Sequence, residues 1–590
     1  MKRSIAGLAC LAFVFAAAAF SIEGAAEPAT DARFKAIYTR EWAWRQAQRG
    51  EEDEDSASGR REVNARLPKV DLATEQARLN YWTDVMTQLG TIRRAALSPA
   101  EQINFDVYRE QIEVLVNGQK FRNYEKPLTG DSAFWSDMAS TARRPFRTLR
   151  DYQNFISQMT DVPRYFDEEI ANMRAGLHRG FTPPKITLAG RDSSIRSVAE
   201  AKSPEDTVFY TPYKKMPASI PAGEQATLRA EAVKAIHDSV MPAYADLLKF
   251  VSNVYIPGAR EALAAQSLPN GKAYYQAEIL EFTTTTLDPE QIHQIGLDEM
   301  AKIRTEMQDV MQKAGFHGDL PAFLHFLRTD PQFYAKTPQE LLMRAAWIAK
   351  EFDGKASQYF GYLPRMRFGI VPVPADQAPF YTSGRGGPGT YLVNTYDLPS
   401  RPLYSLPALT LHESAPGHAF QMPIALEHKE LPRFRRTYIS AYGEGWALYC
   451  ERLGTEMGIY QTPYETFGML SYQAWRAARL VVDTGIHSEG WTRQQAQQYL
   501  HDNTALSDHE IETEVDRYIS WPGQALSYYL GEMAIWKARH KAEAALGDKF
   551  NIRAFHDAVL EMGSVPLPVL EARIDRLIAA GGKGPYPDME

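Results

Sequence analysis

Residues 411–421 read Leu-His-Glu-Ser-Ala-Pro-Gly-His-Ala-Phe-Gln, and His412, Glu413 and His418 within them are types that hold and use a metal ion. Imidazole is a common zinc ligand. A glutamate beside it can take a proton from a water activated at the metal. In the usual zinc-peptidase pattern two histidines stand four apart on one helix, where a turn of about 400° puts both rings on one face. Here the spacing is six. Six helical residues turn about 600° and rise about 9 Å, which separates the rings. Either the pairing is accidental or the helix is interrupted, and Pro416 and Gly417 support interruption. Proline cannot complete the backbone bond to the His412 carbonyl, and glycine tolerates unusual dihedrals. The reading is a helix interrupted between the histidines, with two looped-out residues restoring the facing pair.

Two histidines leave a catalytic zinc one ligand short, since such sites use three protein ligands and an open position. Residues 441–451 read Ala-Tyr-Gly-Glu-Gly-Trp-Ala-Leu-Tyr-Cys-Glu. Glu444, between two glycines at the start of an amphipathic helix, is the candidate third ligand. Taken alone it would be a helix-start acid favoured by the dipole. Glu451, two turns on, shares its face. It either braces a ligand histidine or is a surface charge.

Arg479, Asp483 and His487 recur every four residues and so share one helix face. They form a structural network, or an oxyanion donor and a substrate clamp. Residues 514–531 add Arg517, a Pro-Gly break and the tyrosines Tyr518, Tyr528 and Tyr529. A phenol near zinc can steady a tetrahedral intermediate, but spacing does not choose among the three.

Helices must position these groups. Leu79, Trp82, Met86 and Leu89 recur at helical spacing. Ser98-Pro99, Asp288-Pro289, Thr337-Pro338 and Thr462-Pro463 each pair a capping side chain with proline and, two residues later, Glu or Gln. That is the signature of a capped helix start. Between Gly361 and Pro402 the texture changes. Met366–Val373 and Thr390–Tyr396 read as strands, and Gly384–Gly389 as a turn between them. It lacks the Lys-Ser/Thr ending of a phosphate loop. The fold class is mainly α, with a small β-sheet before the metal-binding helix.

The chain has 590 residues and a net charge of −8, which argues against a nucleic-acid binder. Two cysteines exclude a disulfide scaffold and a four-cysteine zinc module. Lys2-Arg3, an apolar stretch from Ser4 to Phe20 and small residues to Ala26 have the layout of a signal peptide over 1–26; the alternative, a membrane anchor, is at the short limit for spanning a bilayer. Cleavage near Ala26 would leave Cys450 as the remaining thiol. No later segment is long and apolar enough to span a bilayer, so the product is expected to be periplasmic or secreted. A weak seam near 285 divides an N-terminal helical lobe, 27–285, from a metal-binding lobe, 286–590.

The strings His412-Glu-Ser-Ala-Pro-Gly-His418, Gly443-Glu-Gly-Trp-Ala-Leu-Tyr449, Arg479-Leu-Val-Val-Asp-Thr-Gly-Ile-His487 and Trp521-Pro-Gly-Gln-Ala-Leu-Ser-Tyr528 together resemble the bacterial domain-of-unknown-function-885 family. Arg174–Leu177 with Thr182-Pro183-Pro184, and Gly389–Asn394, fit it too. That family is similar to the all-helical zinc peptidases typified by angiotensin-converting enzyme and thimet oligopeptidase. The resemblance implies a two-lobed helical fold with zinc at the floor of a deep channel. It makes His412, His418 and Glu444 the ligands and Glu413 the general base. Tyr528 becomes the oxyanion donor and His487 a helper. Tyr391 and Asn394 fall on a strand edge that pairs with substrate backbone. The chain departs from the family at Ala419, where a second histidine often follows.

The expected function is an exported zinc peptidase acting on short peptides. A non-catalytic peptide binder of the same fold, and a zinc hydrolase of a non-peptide amide or ester, are the alternatives. An intact Glu413 argues against the first.

Overall fold

The computed structural model describes residues 28–49, 63–129, 132–375 and 378–586. The signal-peptide segment 1–26 lies outside the described residues. The chain is mainly helical, with one three-stranded sheet. The helices that build and support the site are α1 (Leu72–Gly90), α2 (Pro99–Phe121), α3 (Gly271–Thr283), α4 (Pro289–Lys313), α5 (Leu406–Glu413), α6 (His418–Glu427), α7 (Ser440–Glu456), α8 (Pro463–Ser488), α9 (Asp508–Ser520) and α10 (Ser527–Leu546). Among the described residues no helix is long and apolar enough to cross a membrane.

The proline-marked starts fall where the sequence puts them, at Pro99, Pro289, Pro338 and Pro463. Their caps differ. Asp288 with Gln291 and Thr462 with Glu465 form reciprocal boxes. Thr337 accepts from the Glu340 N–H, but Glu340 turns to the Lys336 N–H instead. Ser98 makes no side-chain cap bond. On α1, Trp82 and Leu89 are buried, with Leu79 and Met86 packed against the same core.

The apolar core forms two large clusters. One takes its residues from Val63–Val70 and Leu128–Ala259. The other joins Phe34–Val116 to Phe181 and to Ala265–Leu577. Helices α1 and α2, which precede the seam at residue 285, therefore share a core with the C-terminal half. Two close crossings set the frame around the site. Gly296 of α4 lies against α8, where a Cβ would come 2.7 Å from Val481. Gly531 of α10 meets α7, where a Cβ would come 1.9 Å from the Ala441 carbonyl oxygen.

The sheet runs β1 (Gly369–Pro372), β2 (Gly384–Gly387) and β3 (Thr390–Val393), in the order β1-β3-β2. β3 pairs parallel to β1 and antiparallel to β2. Two expectations are corrected here. The glycine-rich segment is a strand, closed onto β3 by Pro388 and Gly389. Gly389 has φ +81°, as the third position of a proline-led type II turn requires. And the strand through Thr390 is the central one, flanked on both sides, so its backbone is already paired.

Candidate metal centre

The helix carrying the first histidine ends at Glu413, and a new one begins at His418. Ser414 (ψ −112°) and Gly417 (ψ −134°) leave helical geometry, and the Ala415–Pro416 peptide is cis. The Gly417 N–H donates back to the Leu411 carbonyl at 3.0 Å, and the Pro416 carbonyl accepts from the Trp446 indole at 2.8 Å. A Cβ on Gly417 would lie 1.9 Å from the His412 carbonyl oxygen, so only glycine fits. The break brings the two imidazoles together, centroids 4.9 Å apart and planes at 89°.

Glu444 completes the group from α7. Its Oε2 lies 3.5 Å from His412 Nε2 and 3.3 Å from His418 Nε2. Ligand atoms of the three residues lie within 4.8 Å of one another. Zinc bonds of 2.0–2.2 Å at tetrahedral angles place neighbouring ligand atoms about 3.3–3.5 Å apart. The donor set and its spacing thus fit a metal ion. The glycines flanking Glu444 are tied to this placement. Gly443 leaves room for the Tyr438 ring, whose hydroxyl donates to Glu444 Oε1 at 2.8 Å. Gly445 lies against the backbone of Gly531 on α10.

Glu451 is fully buried, and His412 Nδ1 donates to its Oε1 at 2.8 Å. That bond turns Nε2 toward Glu444, where a bound metal ion would take the place of its proton. Burial works against charge on His412, but Glu444 and Glu451 outweigh it and lift its titration to about 10. Burial likewise opposes charge on Glu444, yet His418 and the two imidazole contacts hold it well below the usual carboxylate range. Both shifts mark a point that favours positive charge. His418 Nδ1 has no hydrogen-bond partner among the described residues.

Glu413 lines a cleft of about 920 Å³ together with His412, His418 and Glu444. Its Oε2 accepts the Gly386 N–H at 2.6 Å, on the edge of β2 that turns away from β3. Tyr528, at the start of α10, lines the same cleft, and its ring lies 6.5 Å from that of His412. Arg517 donates to the Tyr528 hydroxyl at 3.2 Å, and the Arg479 guanidinium stacks on its ring at 4.2 Å. Tyr518 and Tyr529 are turned elsewhere, Tyr518 to Trp475 and Arg479, Tyr529 to Glu299.

Four predicted residues are not brought to the cleft. His487 is wholly buried. Its Nδ1 accepts the Ala265 N–H at 3.0 Å, and its Nε2 lies 2.9 Å from the Tyr518 carbonyl. Burial pulls its titration down to about 3, so it stays neutral and structural. Asp483 does not orient it. That carboxylate accepts from Tyr275 at 2.5 Å and from the Gly523 N–H. Tyr391 is buried beneath the sheet, its hydroxyl 3.3 Å from Thr410. Asn394 donates to the Ala378 and Tyr381 carbonyls. The expected substrate edge on β3 is therefore corrected: β2 is the strand that borders the cleft.

Tyr438, Arg476 and the backbone of Gly386 were not legible as site groups. Tyr438 sits in an irregular segment ahead of α7. Arg476 was one more arginine on a long helix. Gly386 belonged to a run that read as a turn, although its repeated glycines were the signal of a close backbone approach.

Fold and site define a mainly helical protein with a two-histidine, one-glutamate group able to hold a metal ion. The family described as "Bacterial protein of unknown function (DUF885)" matches residues 53–574, and the chain belongs to it. A crystal structure described as a "putative lipoprotein" from Colwellia psychrerythraea is similar, with a TM-score of 0.83 and 26% identity. That match covers 94% of this chain and 98% of the other. A second, a "putative lipoprotein of unknown function" from Shewanella oneidensis, aligns with a TM-score of 0.65 at 17% identity, covering 92% and 98%. It shares the fold. No curated protein matches the chain.

Proposed function

We propose that the protein is an exported, zinc-dependent hydrolase of short peptides. The observation that carries this reading is the convergence of His412, His418 and Glu444 beside Glu413, all four lining one cleft. Zinc bound there would supply Lewis acidity to the scissile carbonyl and acidify a water. Glu413, its carboxylate held in place by the Gly386 N–H, would be the base that takes up the proton. Tyr528 is the oxyanion donor. The cleft is read as the floor of a channel between two helical lobes. Export to the periplasm or beyond is supported by the N-terminal layout and by relatives described as lipoproteins.

The test is purified protein assayed for metal and for cleavage of a peptide library by mass spectrometry. We expect close to one zinc per chain, and Glu413→Gln should keep the zinc and lose hydrolysis. Full activity in that variant would overturn the mechanism.

A further inference from the structure

Two arginines beside the metal group have hydrogen-bonding capacity that the protein does not use. Arg476 and Arg479, on α8, line the cleft and are 4% and 1% exposed. Nε and Nη1 of Arg476, and Nη1 of Arg479, have no hydrogen-bond partner among the described residues. Leaving a buried charged donor without a partner is costly. Folded proteins keep few such groups without reason.

The two guanidinium groups are held rigidly. Trp475 lies between them, with Arg476 at 4.0 Å and Arg479 at 4.5 Å from its ring. The Tyr472 ring also meets Arg476, at 4.5 Å, and the Tyr528 ring meets Arg479, at 4.2 Å. Arg479 is further fixed by Tyr518 at Nε and Glu514 at Nη2. Stacked arginine forks present a planar set of donors matched to a carboxylate.

Local acids do not fill that capacity. Glu514 accepts from Arg479 at 2.8 Å and also meets Arg517 at 3.4 Å. Glu451 Oε1 stands 3.6 Å from Arg476, beyond hydrogen-bond reach, and it accepts from His412 at 2.8 Å. Glu510, one turn before Glu514 on α9, accepts from Ser383 at 3.2 Å, and burial pushes it above the ordinary carboxylate range against the pull of Arg401 and Arg476.

We infer that Arg476 and Arg479 form a subsite for a substrate carboxylate, either the C-terminus or an acidic side chain. This rests on the hydrolase reading for its geometry. Arg479 stacks on Tyr528, and Tyr528 stacks on His412, in steps of 4.2 and 6.5 Å. At about 3.3–3.6 Å per extended residue, the carboxylate lies within about three residues of the scissile bond. The substrate class is therefore short peptides with an anionic end or side chain close to the cut.

The test uses the zinc-loaded Glu413→Gln protein and calorimetry. The probes are one neutral acetylated tetrapeptide as free acid, as C-terminal amide, and as an amide carrying one aspartate. We expect the free acid, the aspartyl amide or both to bind about tenfold or more tighter than the neutral amide. Adding Arg476→Gln should shrink that difference, the free acid and the aspartyl amide losing more affinity than the neutral amide. A purely structural arginine would weaken all three alike, and that result would overturn the subsite. So would equal binding of the three peptides to the Glu413→Gln protein, a comparison that stands if Arg476→Gln does not fold. Wild-type turnover of the same peptides separates the two ideas. Hydrolysis without acid preference overturns the subsite and keeps the hydrolase. Acid-selective binding without hydrolysis does the reverse.

Discussion

The N–H of Gly386 donates to Glu413 Oε2 across 2.6 Å, and a Cβ on Gly386 would fall 1.6 Å from the Glu413 carbonyl oxygen. Strand β2 and the end of α5 thus touch backbone to backbone at the proposed base. Neither partner can yield by a simple rotamer change. We expect Gly386→Ala to shift Glu413 and lower kcat by about 10²-fold, the scale of a 1 Å misplacement at a reacting group. Zinc content, measured by atomic absorption, should be kept, because the Gly386 N–H bonds Glu413 and not one of the three ligands. Unchanged turnover would detach β2 from the chemistry.

Glu451 holds His412 from behind, and its other oxygen, Oε2, is buried with no hydrogen-bond partner among the described residues. Outer partners of this kind orient the ring and raise its basicity as a ligand. Glu451→Gln should therefore weaken zinc retention by about 10–100-fold in competition with a chelator. Thermal unfolding of the zinc-saturated variant should change far less than that of the metal-depleted one.

Much of the site was legible because proline and glycine leave marks that side-chain type alone does not. Pro416-Gly417 announced the break between the histidines, and the glycines around Glu444 announced close packing. Helix periodicity was weaker guidance. It put Arg479, Asp483 and His487 on one face, and they do lie on one helix. Each nevertheless turns to a different neighbour: Arg479 to Glu514, Asp483 to Tyr275, His487 to Ala265. A shared face does not say which surrounding element each residue meets. The β2 strand was missed for a related reason. Glycine is poor in strands by propensity, and tertiary contact with Glu413 overrode that preference.

Asp483 gives a pH signature. Burial, opposed by the bonds from Tyr275 and Gly523, pushes its titration up to about 7. In the unfolded chain the group ionises near the ordinary value, 3.8. Between those values the folded state binds the extra proton, so stability falls as pH rises from about 4 to about 7. Asp483→Asn removes that proton-binding site. Denaturant midpoints should show the wild type losing ground to the variant across that window, with a constant difference above it. A difference independent of pH would refute the assignment.

Tyr528 and Tyr438 both line the cleft, yet their hydroxyl protons face different tasks. Tyr438 donates to Glu444 Oε1, so its proton is committed to a metal ligand. Arg517 donates to Tyr528, and arginine has no acceptor. The Tyr528 oxygen therefore accepts there, which leaves its own proton for the proposed oxyanion. Losing one oxyanion donor lowers kcat by about 10²–10³-fold. Tyr528→Phe should show that loss with zinc affinity unchanged. Tyr438→Phe should instead release zinc more readily, and its turnover should recover when zinc is supplied in excess. If both variants lose turnover equally at saturating zinc, the division of labour between the two tyrosines is wrong.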